Sequence, residues 1–393
     1  MQKEKIKQAI GILEELNVDL WLTFVRESET IHDPCLDMIL GANCTWQSAF
    51  LVSRTGKTIA IIGSLDKERI KSTGTFDDIR VYVGGIGESF IAAIRELHPK
   101  EIAINTSIND YMADGLTHGM YEALMEYLSK AEFDGKILSS ENVISALRGR
   151  KSASELEKIK ASIAVTEDIY HRVSTFMKPG MSEQDVADFI LDCVYRQNME
   201  TAWEVNSCPA VFTGPFSAGA HAEPTGRTIE KGHVLNIDFG VKKDGYCSDI
   251  QRTWYFLRDG EKEAPESVLR GFNTIIEAVQ KTADAIRPGK MGFEIDDVAR
   301  DYIVSKGYPE FPHGTGHQVG RSTHDGAGGL SPRWERYGET PFYRLEVGQV
   351  YTIEPRLPIE GYGVATVEEM IVVTKNGFEW LSHPQKEIFL IGE

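Results

Sequence analysis

The sequence HVLNIDFGVKKDGYCSDIQRTWYF, residues 233–256, contains two runs of β-branched and aromatic residues on either side of a polar turn. The Asp244-Gly245 pair favours a tight turn, so we predict a β-hairpin. Its strands carry Asp238 and Asp249. These aspartates lie directly opposite each other if the turn centres immediately before Asp244, and diagonally if it centres on Asp244-Gly245. Either register places both carboxylates on one face of the hairpin.

The two aspartates are flanked by apolar side chains, namely Ile237, Phe239, Ile250 and Trp254. Two carboxylates close together in such surroundings repel each other unless a proton or a cation lies between them. A bound metal ion is one interpretation of the pair. The alternative is two surface aspartates on an exposed hairpin.

Three of the ten histidines fall within the segment HGTGHQVGRSTH, residues 313–324. They are His313, His317 and His324. Imidazole is a common metal ligand and also the usual acid–base group near neutral pH. We therefore expect one metal ligand and two catalytic helpers here, with a purely structural role as the alternative. The glycines do not predict a nucleotide-binding loop, because their spacing and context differ from those of phosphate-binding motifs.

A second acidic hairpin is predicted in GQVYTIEPRLPIEGYGVATVEEMIVVT, residues 348–374. It carries Glu354 in its first apolar run, and Glu368 and Glu369 in its second. A strand core tolerates a carboxylate only if it is paired or binds a metal, and Arg356 is the candidate partner for an ordinary salt bridge. Only one of the adjacent glutamates can face the site, because neighbouring strand residues point to opposite faces.

Together these segments supply four carboxylates and a histidine, without a cysteine. The five cysteines are scattered along the chain and form no Cys-x-x-Cys pair, so no thiolate zinc site is indicated. A hard, oxygen-rich set of this kind suits two divalent ions, such as Mn²⁺, Co²⁺ or Zn²⁺. The chemistry that follows is two-metal hydrolysis.

The chain divides by pattern into two domains. Residues 1–145 begin with a helical pattern and continue with five strand-like runs among helices, which predicts a small α/β domain with a mixed sheet. Residues 150–393 contain two copies of a helix, a basic-Pro-Gly stop and a further helix, and each copy precedes one of the acidic hairpins. We therefore expect two related halves that face each other, and an α+β fold class overall.

Composition excludes several classes of function. The 393 residues carry 42 basic and 59 acidic side chains, and the formal net charge of −17 argues against a nucleic-acid or anionic-membrane partner. No apolar stretch is long enough for a membrane span, and the first residues lack the apolar core of a secretory signal. We expect a cytoplasmic protein.

On these residues the chain resembles the metallopeptidase family of aminopeptidase P, prolidase and methionine aminopeptidase, whose members share the pita-bread fold. The resemblance implies that fold for residues 150–393 and a creatinase-like N-terminal domain for residues 1–145. It also implies five metal ligands, which are Asp238 in NIDFG, Asp249 in CSDIQRT, His317 in HGTGH, Glu354 in TIEPR and Glu368 in TVEEM. Methionine aminopeptidases generally lack an N-terminal domain, so the resemblance favours a metalloaminopeptidase or dipeptidase that cleaves Xaa-Pro bonds.

The resemblance further implies a mechanism. A hydroxide that bridges the two metal ions would attack the scissile carbonyl, with Glu354 accepting or shuttling its proton. His324 would stabilise the oxyanion, and His221 and His313 would position the substrate. The expected substrates are dipeptides or short peptides with proline in the second position, and a homodimer is the expected assembly.

Four residues near the expected ligands depart from the family pattern. Gln318 follows His317 where glycine or tryptophan is usual, and Asp325 follows His324 where glutamate is frequent. Gln251 replaces the first threonine of the frequent Asp-x-Thr-Arg-Thr, and Thr366 replaces an arginine that usually lies two residues before the last glutamate.

The change at Thr366 weakens the case for binding a substrate carboxylate. Arg321 and Arg356 are the candidates to compensate for it, and the alternative for each is an ordinary surface or salt-bridging arginine.

The same fold also serves other functions. Metal-free creatinase-like amidinohydrolases and non-enzymatic binding modules have substitutions among the five ligands, and the intact set here argues against both classes. A metal-dependent hydrolase or lyase that acts on another small substrate is harder to distinguish from an Xaa-Pro peptidase, because the fold and the metal site do not determine the substrate.

Overall fold

The computed structural model of the chain describes residues 1–216 and 223–392. The chain forms two units, Met1–Arg148 and a second unit that begins at Gly149. None of the described helices is both long and apolar enough to cross a lipid bilayer.

The first unit is built on a six-stranded sheet. Its strands are β1 (Leu20–Val25), β2 (Ser48–Ser53), β3 (Thr58–Gly63), β4 (Asp78–Tyr82), β5 (Glu101–Ile104) and β6 (Lys136–Ser139). Its helices are α1 (Gln2–Leu16), α2 (Leu36–Ile39), α3 (Lys67–Thr73), α4 (Gly87–Leu97), α5 (His118–Lys130) and α6 (Glu141–Gly149). The strand order is β4-β3-β2-β1-β5-β6, with β1, β2 and β3 antiparallel and the other pairs parallel. The predicted mixed sheet is confirmed.

Alternation along the strands places an apolar core on each face of this sheet. Leu20 and Leu22 of β1 pack in the core that also contains residues of α4 and α5. Trp21 of β1 belongs to the opposite core, with residues of α1, α2, α3 and α6. Each core is therefore made by one face of the strands and the helices that cover it.

The second unit contains most of the strands. They are β7 (Glu200–Thr201), β8 (Ala210–Thr213), β9 (Val234–Phe239), β10 (Val241–Lys243), β11 (Tyr246–Cys247), β12 (Ile250–Phe256), β13 (Gly316–His317), β14 (Gly329–Leu330), β15 (Val350–Ile353), β16 (Arg356–Ile359), β17 (Gly363–Thr366), β18 (Glu369–Thr374), β19 (Gly377–Trp380) and β20 (Phe389–Ile391). The helices are α7 (Ala153–Phe176), α8 (Glu183–Tyr195), α9 (Glu266–Ala285) and α10 (Gly292–Ser305).

The four long helices form the two predicted pairs, α7 with α8 and α9 with α10. The connections turn at Gly180 and Gly289, whose φ values of 93° and 88° suit glycine. Helix α8 begins with a capping box, in which the Ser182 side chain accepts from the Asp185 N–H and the Asp185 side chain accepts from the Ser182 N–H. These local signals place each helix pair before its hairpin.

The two hairpins lie in separate sheets that meet. The first belongs to the sheet β20-β12-β9-β8, and the second to the sheet β15-β18-β19. An isolated antiparallel bridge between Gln251 and Glu368 joins the ends of the two hairpins. The predicted α+β class with two facing halves is therefore confirmed.

Candidate metal centre

The turn fixes the register of the first hairpin. Asp244 and Gly245 both have positive φ, at 51° and 78°, as expected for a tight Asp-Gly hairpin turn. The turn therefore centres on this pair, and Asp238 lies opposite Gln251. Asp249 is the diagonal neighbour of Asp238, which confirms the second of the two predicted registers. Both aspartates are buried on one face.

The second hairpin brings two glutamates to one end of its ladder. Ile353 of β15 pairs with Glu369 of β18. The next residue after β15 is Glu354, and the residue before β18 is Glu368, so this register sets the two glutamates across from each other. The bridge from Glu368 to Gln251 then places this end beside the aspartates.

His317 is held beside Glu354 by backbone contacts. The Glu354 N–H donates to the Thr315 carbonyl over 2.7 Å, and the His317 N–H donates to the Thr352 hydroxyl over 3.1 Å. These bonds fix the short strand β13 against β15. The histidine therefore enters the site from the second half of the unit.

The side chains converge on one point. The Nε2 atom of His317 lies 3.4 Å from Asp249 Oδ2, 3.4 Å from Glu354 Oε1 and 4.0 Å from Glu368 Oε1. Asp249, His317 and Glu368 each offer one ligand atom within 4.8 Å of the others. Asp249, His317, Glu354 and Glu368 therefore form one cluster. The fifth predicted residue, Asp238, lies next to Asp249.

The tautomer of His317 suits a ligand. Its Nδ1 atom lies 3.3 Å from the carbonyl of Gln318. A carbonyl can only accept, so Nδ1 carries the proton, and whenever the ring is neutral the lone pair lies on Nε2, which faces the carboxylates. Metal-binding histidines are commonly oriented in this way by a second hydrogen bond.

The carboxylates have more oxygen atoms than the surrounding protein satisfies. Among the described residues, Asp238 Oδ1 and both side-chain oxygens of Glu368 are buried without a hydrogen-bond partner. Burial raises the pKa of Asp238, Asp249, Glu354 and Glu368, and repulsion within the cluster adds to the increase for all but Asp249. Unsatisfied buried oxygens and one neutral imidazole fit hard divalent cations.

The neighbouring Glu369 points away from this cluster, as alternation along the strand predicts. Its carboxylate pairs with Arg252 over 2.9 Å and also accepts from the Ser382 hydroxyl and the Gln385 N–H. Glu369 therefore forms a structural ion pair with Arg252 behind the site.

The other predicted histidines have different surroundings. The ring of His324 lies edge-on to that of His317, with centroids 4.2 Å apart. His313 donates from Nδ1 to the Gly314 carbonyl over 2.8 Å, which leaves Nε2 as the acceptor of the neutral ring. His221 lies outside the described residues.

The two predicted arginines also differ. Arg356 lies opposite Thr366 in the β16–β17 pair, and within the described residues it makes no hydrogen bond or ion pair. Burial lowers the pKa of Arg356, and the charge of Glu354 partly offsets this effect. The guanidinium of Arg321 lies over the ring of Tyr246, 5.5 Å from its centroid, near the hairpin turn.

Sequence reasoning missed a contact between two unusual residues. The Thr366 hydroxyl donates to the Gln251 side chain over 3.1 Å, and both residues are buried next to the candidate ligands. These are two of the four departures from the family pattern, and they form one hydrogen-bonded pair. The two residues are more than a hundred positions apart in the sequence, so no local pattern could indicate the contact.

The sequence and the structure are both similar to those of known peptidases. The sequence matches metallopeptidase family M24 over residues 157–375. It is 31% identical over 280 residues to the uncharacterized peptidase YqhT of Bacillus subtilis, covering 71% of this chain and 73% of that protein. The structure is similar to the Xaa-Pro dipeptidase from Bacillus anthracis, with a TM-score of 0.76 and 25% identity over 100% of both chains. The X-Pro aminopeptidase from Thermotoga maritima has the same fold, with a TM-score of 0.72 and 24% identity over 98% of this chain and 99% of that one.

Proposed function

The chain belongs to metallopeptidase family M24, and we propose that it hydrolyses the Xaa-Pro bond at the N-terminus of dipeptides or short peptides. The observation that carries this proposal is the convergence of the Asp249, Glu354 and Glu368 oxygens on Nε2 of His317. The likeness to an Xaa-Pro dipeptidase over the full chain supports the substrate class. We assign catalysis to residues 150–393 and treat residues 1–145 as a separate N-terminal domain.

We assign the metal site to five residues, Asp238, Asp249, His317, Glu354 and Glu368, and expect two divalent ions, preferably Mn²⁺. When bound, such ions lower the pKa of water towards neutrality and polarise a carbonyl. The unsatisfied oxygens of Asp238 and Glu368 support this assignment.

The protein side chains then transfer the proton of the attacking water and stabilise the negative charge of the oxyanion. Glu354, at the edge of the cluster, accepts the proton of the attacking water and returns it to the leaving amine. His324 donates a hydrogen bond to the oxyanion. We assign His313 and His221 to substrate positioning.

Arg356 is our preferred anchor for a substrate carboxylate. It is partly buried beside Glu354 and has no hydrogen-bond or ion-pair partner among the described residues. A guanidinium in that setting suits a planar anion. Arg321 ranks second, because its cation already lies over Tyr246. A dipeptide would present its carboxylate here, whereas a longer peptide would not.

The substrates are short proline-containing peptides, and the protein acts in the cytoplasm as a homodimer. The acidic composition supports the absence of a nucleic-acid partner.

The test is mass spectrometry of a pooled panel of Xaa-Pro dipeptides, Xaa-Pro-Yaa tripeptides and Met-Ala-Xaa peptides, with Mn²⁺ or with chelator. We expect loss of Xaa-Pro peptides alone, and only with metal. Cleavage of none of them by metal-loaded protein would replace the proposal with a metal-dependent hydrolase or lyase of other specificity.

The role of Arg356 is tested by Arg356→Gln. We expect KM for an Xaa-Pro dipeptide to rise by about tenfold to a hundredfold, and KM for the matching Xaa-Pro amide to stay unchanged, because only the dipeptide has the carboxylate. Equal changes for both substrates would remove Arg356 from carboxylate binding. Arg321→Gln is the matched control and should alter the dipeptide less.

A further inference from the structure

A fully enclosed ion pair lies behind the histidine segment. Lys151 Nζ is 3.6 Å from Asp325 Oδ2, and the two side chains are 0% and 3% exposed. Two charges removed from water to this extent carry a large desolvation cost, and such a pair is often no more stabilising than apolar residues of similar volume. Stability alone therefore gives a weak reason for this pair.

Asp325 organises the loop that joins two of the site histidines. Its N–H donates to the Gln318 carbonyl over 2.9 Å, which closes the loop at its ends. Its Oδ2 atom also accepts the N–H of Arg321 over 2.8 Å. His317 directly precedes this closed loop and His324 is its penultimate residue, so the closure sets the two rings against each other.

Lys151 attaches the loop to the body of the unit. Its backbone N–H donates to the Gly348 carbonyl over 2.9 Å, just before β15. The fit around the pair is tight, because a Cβ at Gly320 would overlap Asp325 Oδ2 and lie 2.8 Å from Lys151 Nζ. The loop thus has little room to shift while both charges are present.

We propose that the Lys151–Asp325 ion pair is a positioning device that holds His324 against His317 in the orientation needed for the reaction. The catalytic part of this inference rests on the proposed function, which assigns the oxyanion contact to His324. Neither Lys151 nor Asp325 touches substrate in this account.

The kinetic test is a double-mutant cycle on metal-loaded full-length protein. We expect Lys151→Met to lower kcat on the order of tenfold with little change in KM or metal content, because a small displacement of a catalytic group is costly. In a His324→Ala background the same substitution should lower kcat no further. Equal losses in both backgrounds would mean that the pair acts on the structure in general, and would overturn the proposal.

Two further variants control for folding and for charge. Lys160 Nζ lies 3.1 Å from Glu157 Oε1, and the two side chains are 51% and 74% exposed. Lys160→Met removes the lysine of this exposed ion pair and should leave kcat unchanged. The double variant Lys151→Met with Asp325→Asn leaves no lone buried charge. It should melt closer to wild type than Lys151→Met does, yet retain the loss of kcat. Recovery of kcat in the double variant would contradict the positioning role.

A spectroscopic measurement is independent of turnover. The His324 imidazole signals in NMR spectra of selectively labelled protein should shift in Lys151→Met and in the double variant, but not in Lys160→Met, because the ring loses its fixed contact with His317. Unchanged His324 signals in both of the first two would refute the inference. Absence of Xaa-Pro cleavage by wild type would instead refute only the proposed function, and the NMR result would still decide the positioning role.

Discussion

Glu368 and Glu369 are adjacent, buried and acidic, but their side chains lie in opposite surroundings. Both side-chain oxygens of Glu368 lack a hydrogen-bond partner among the described residues, whereas Glu369 is bound by Arg252, Ser382 and Gln385. Neighbouring strand residues point to opposite faces, so Glu368 is a candidate metal ligand while the adjacent Glu369 forms a structural ion pair.

This contrast gives a matched pair of substitutions. Glu368→Gln should lose bound metal and at least about a thousandfold in kcat/KM, while the metal-free protein melts no lower, because a buried unpaired carboxylate is removed. Glu369→Gln should retain metal but lose about 3 kcal/mol of unfolding free energy, because Arg252 is left without its charged partner. Metal analysis and denaturant melts measure both. Retention of metal and activity by Glu368→Gln would remove it from the ligand set.

The residues of the candidate metal centre could be chosen from the sequence, but not all of the contacts around them could be derived from it. The hairpin alternation put Asp238 and Asp249 on one face, and the structure agrees. The contact between Gln251 and Thr366 required the two hairpins to meet, which no local pattern reports. The surroundings of Arg321, over Tyr246, also arise from tertiary packing alone.

At the scale of elements, turn and cap chemistry explain the success of the predictions. The Asp-Gly turn selected one of two registers, and the Ser182 cap marked the start of α8. Strand β6 was missed because its four residues form a short, partly exposed run with no clear alternation. Strands β13 and β14 have only two residues each, so their pairing depends on the surrounding fold rather than on propensity.

The residue directly before strand β9 is His233, which should make the protein acid-sensitive. The Glu230 N–H donates to His233 Nδ1 over 3.3 Å, which requires the neutral ring. Burial lowers the pKa of His233, and the charges of Arg227 and Arg258 lower it further, while Glu230 opposes the change. Because the unfolded chain then binds the proton more readily, the contribution of His233 is complete above about pH 6.5 and is lost as the pH falls.

His233→Asn tests this contribution. The asparagine oxygen can replace Nδ1 as an acceptor but does not titrate. Between about pH 7.5 and pH 5.5, we expect wild type to lose about 1 °C more in Tm than the variant. Parallel Tm curves for the two proteins over this range would show that His233 does not titrate as described.

At the scale of the whole molecule, the proposed ligands come from two halves of the second unit. The first hairpin supplies Asp238 and Asp249, and the second half supplies His317, Glu354 and Glu368. A cation held by both sets would stabilise the folded state by mass action and join the two halves.

Metal should therefore raise the thermal stability of the full chain. At a Mn²⁺ concentration about a hundred times Kd, we expect Tm of the stripped protein to increase by roughly 5 °C, since binding to the folded state alone contributes about 2.7 kcal/mol. Calorimetry with and without Mn²⁺ measures the change, and Glu368→Gln is the control that should not respond. An equal response in that variant would place the stabilising ion elsewhere.

The most direct test of a two-metal Xaa-Pro peptidase is a titration of the stripped enzyme with Mn²⁺, followed by release of proline from an Xaa-Pro dipeptide. We expect no release without metal and a rate that reaches its plateau at two equivalents per chain. A rate in chelator equal to that of the reconstituted enzyme, or no release at any Mn²⁺ concentration, would contradict the account.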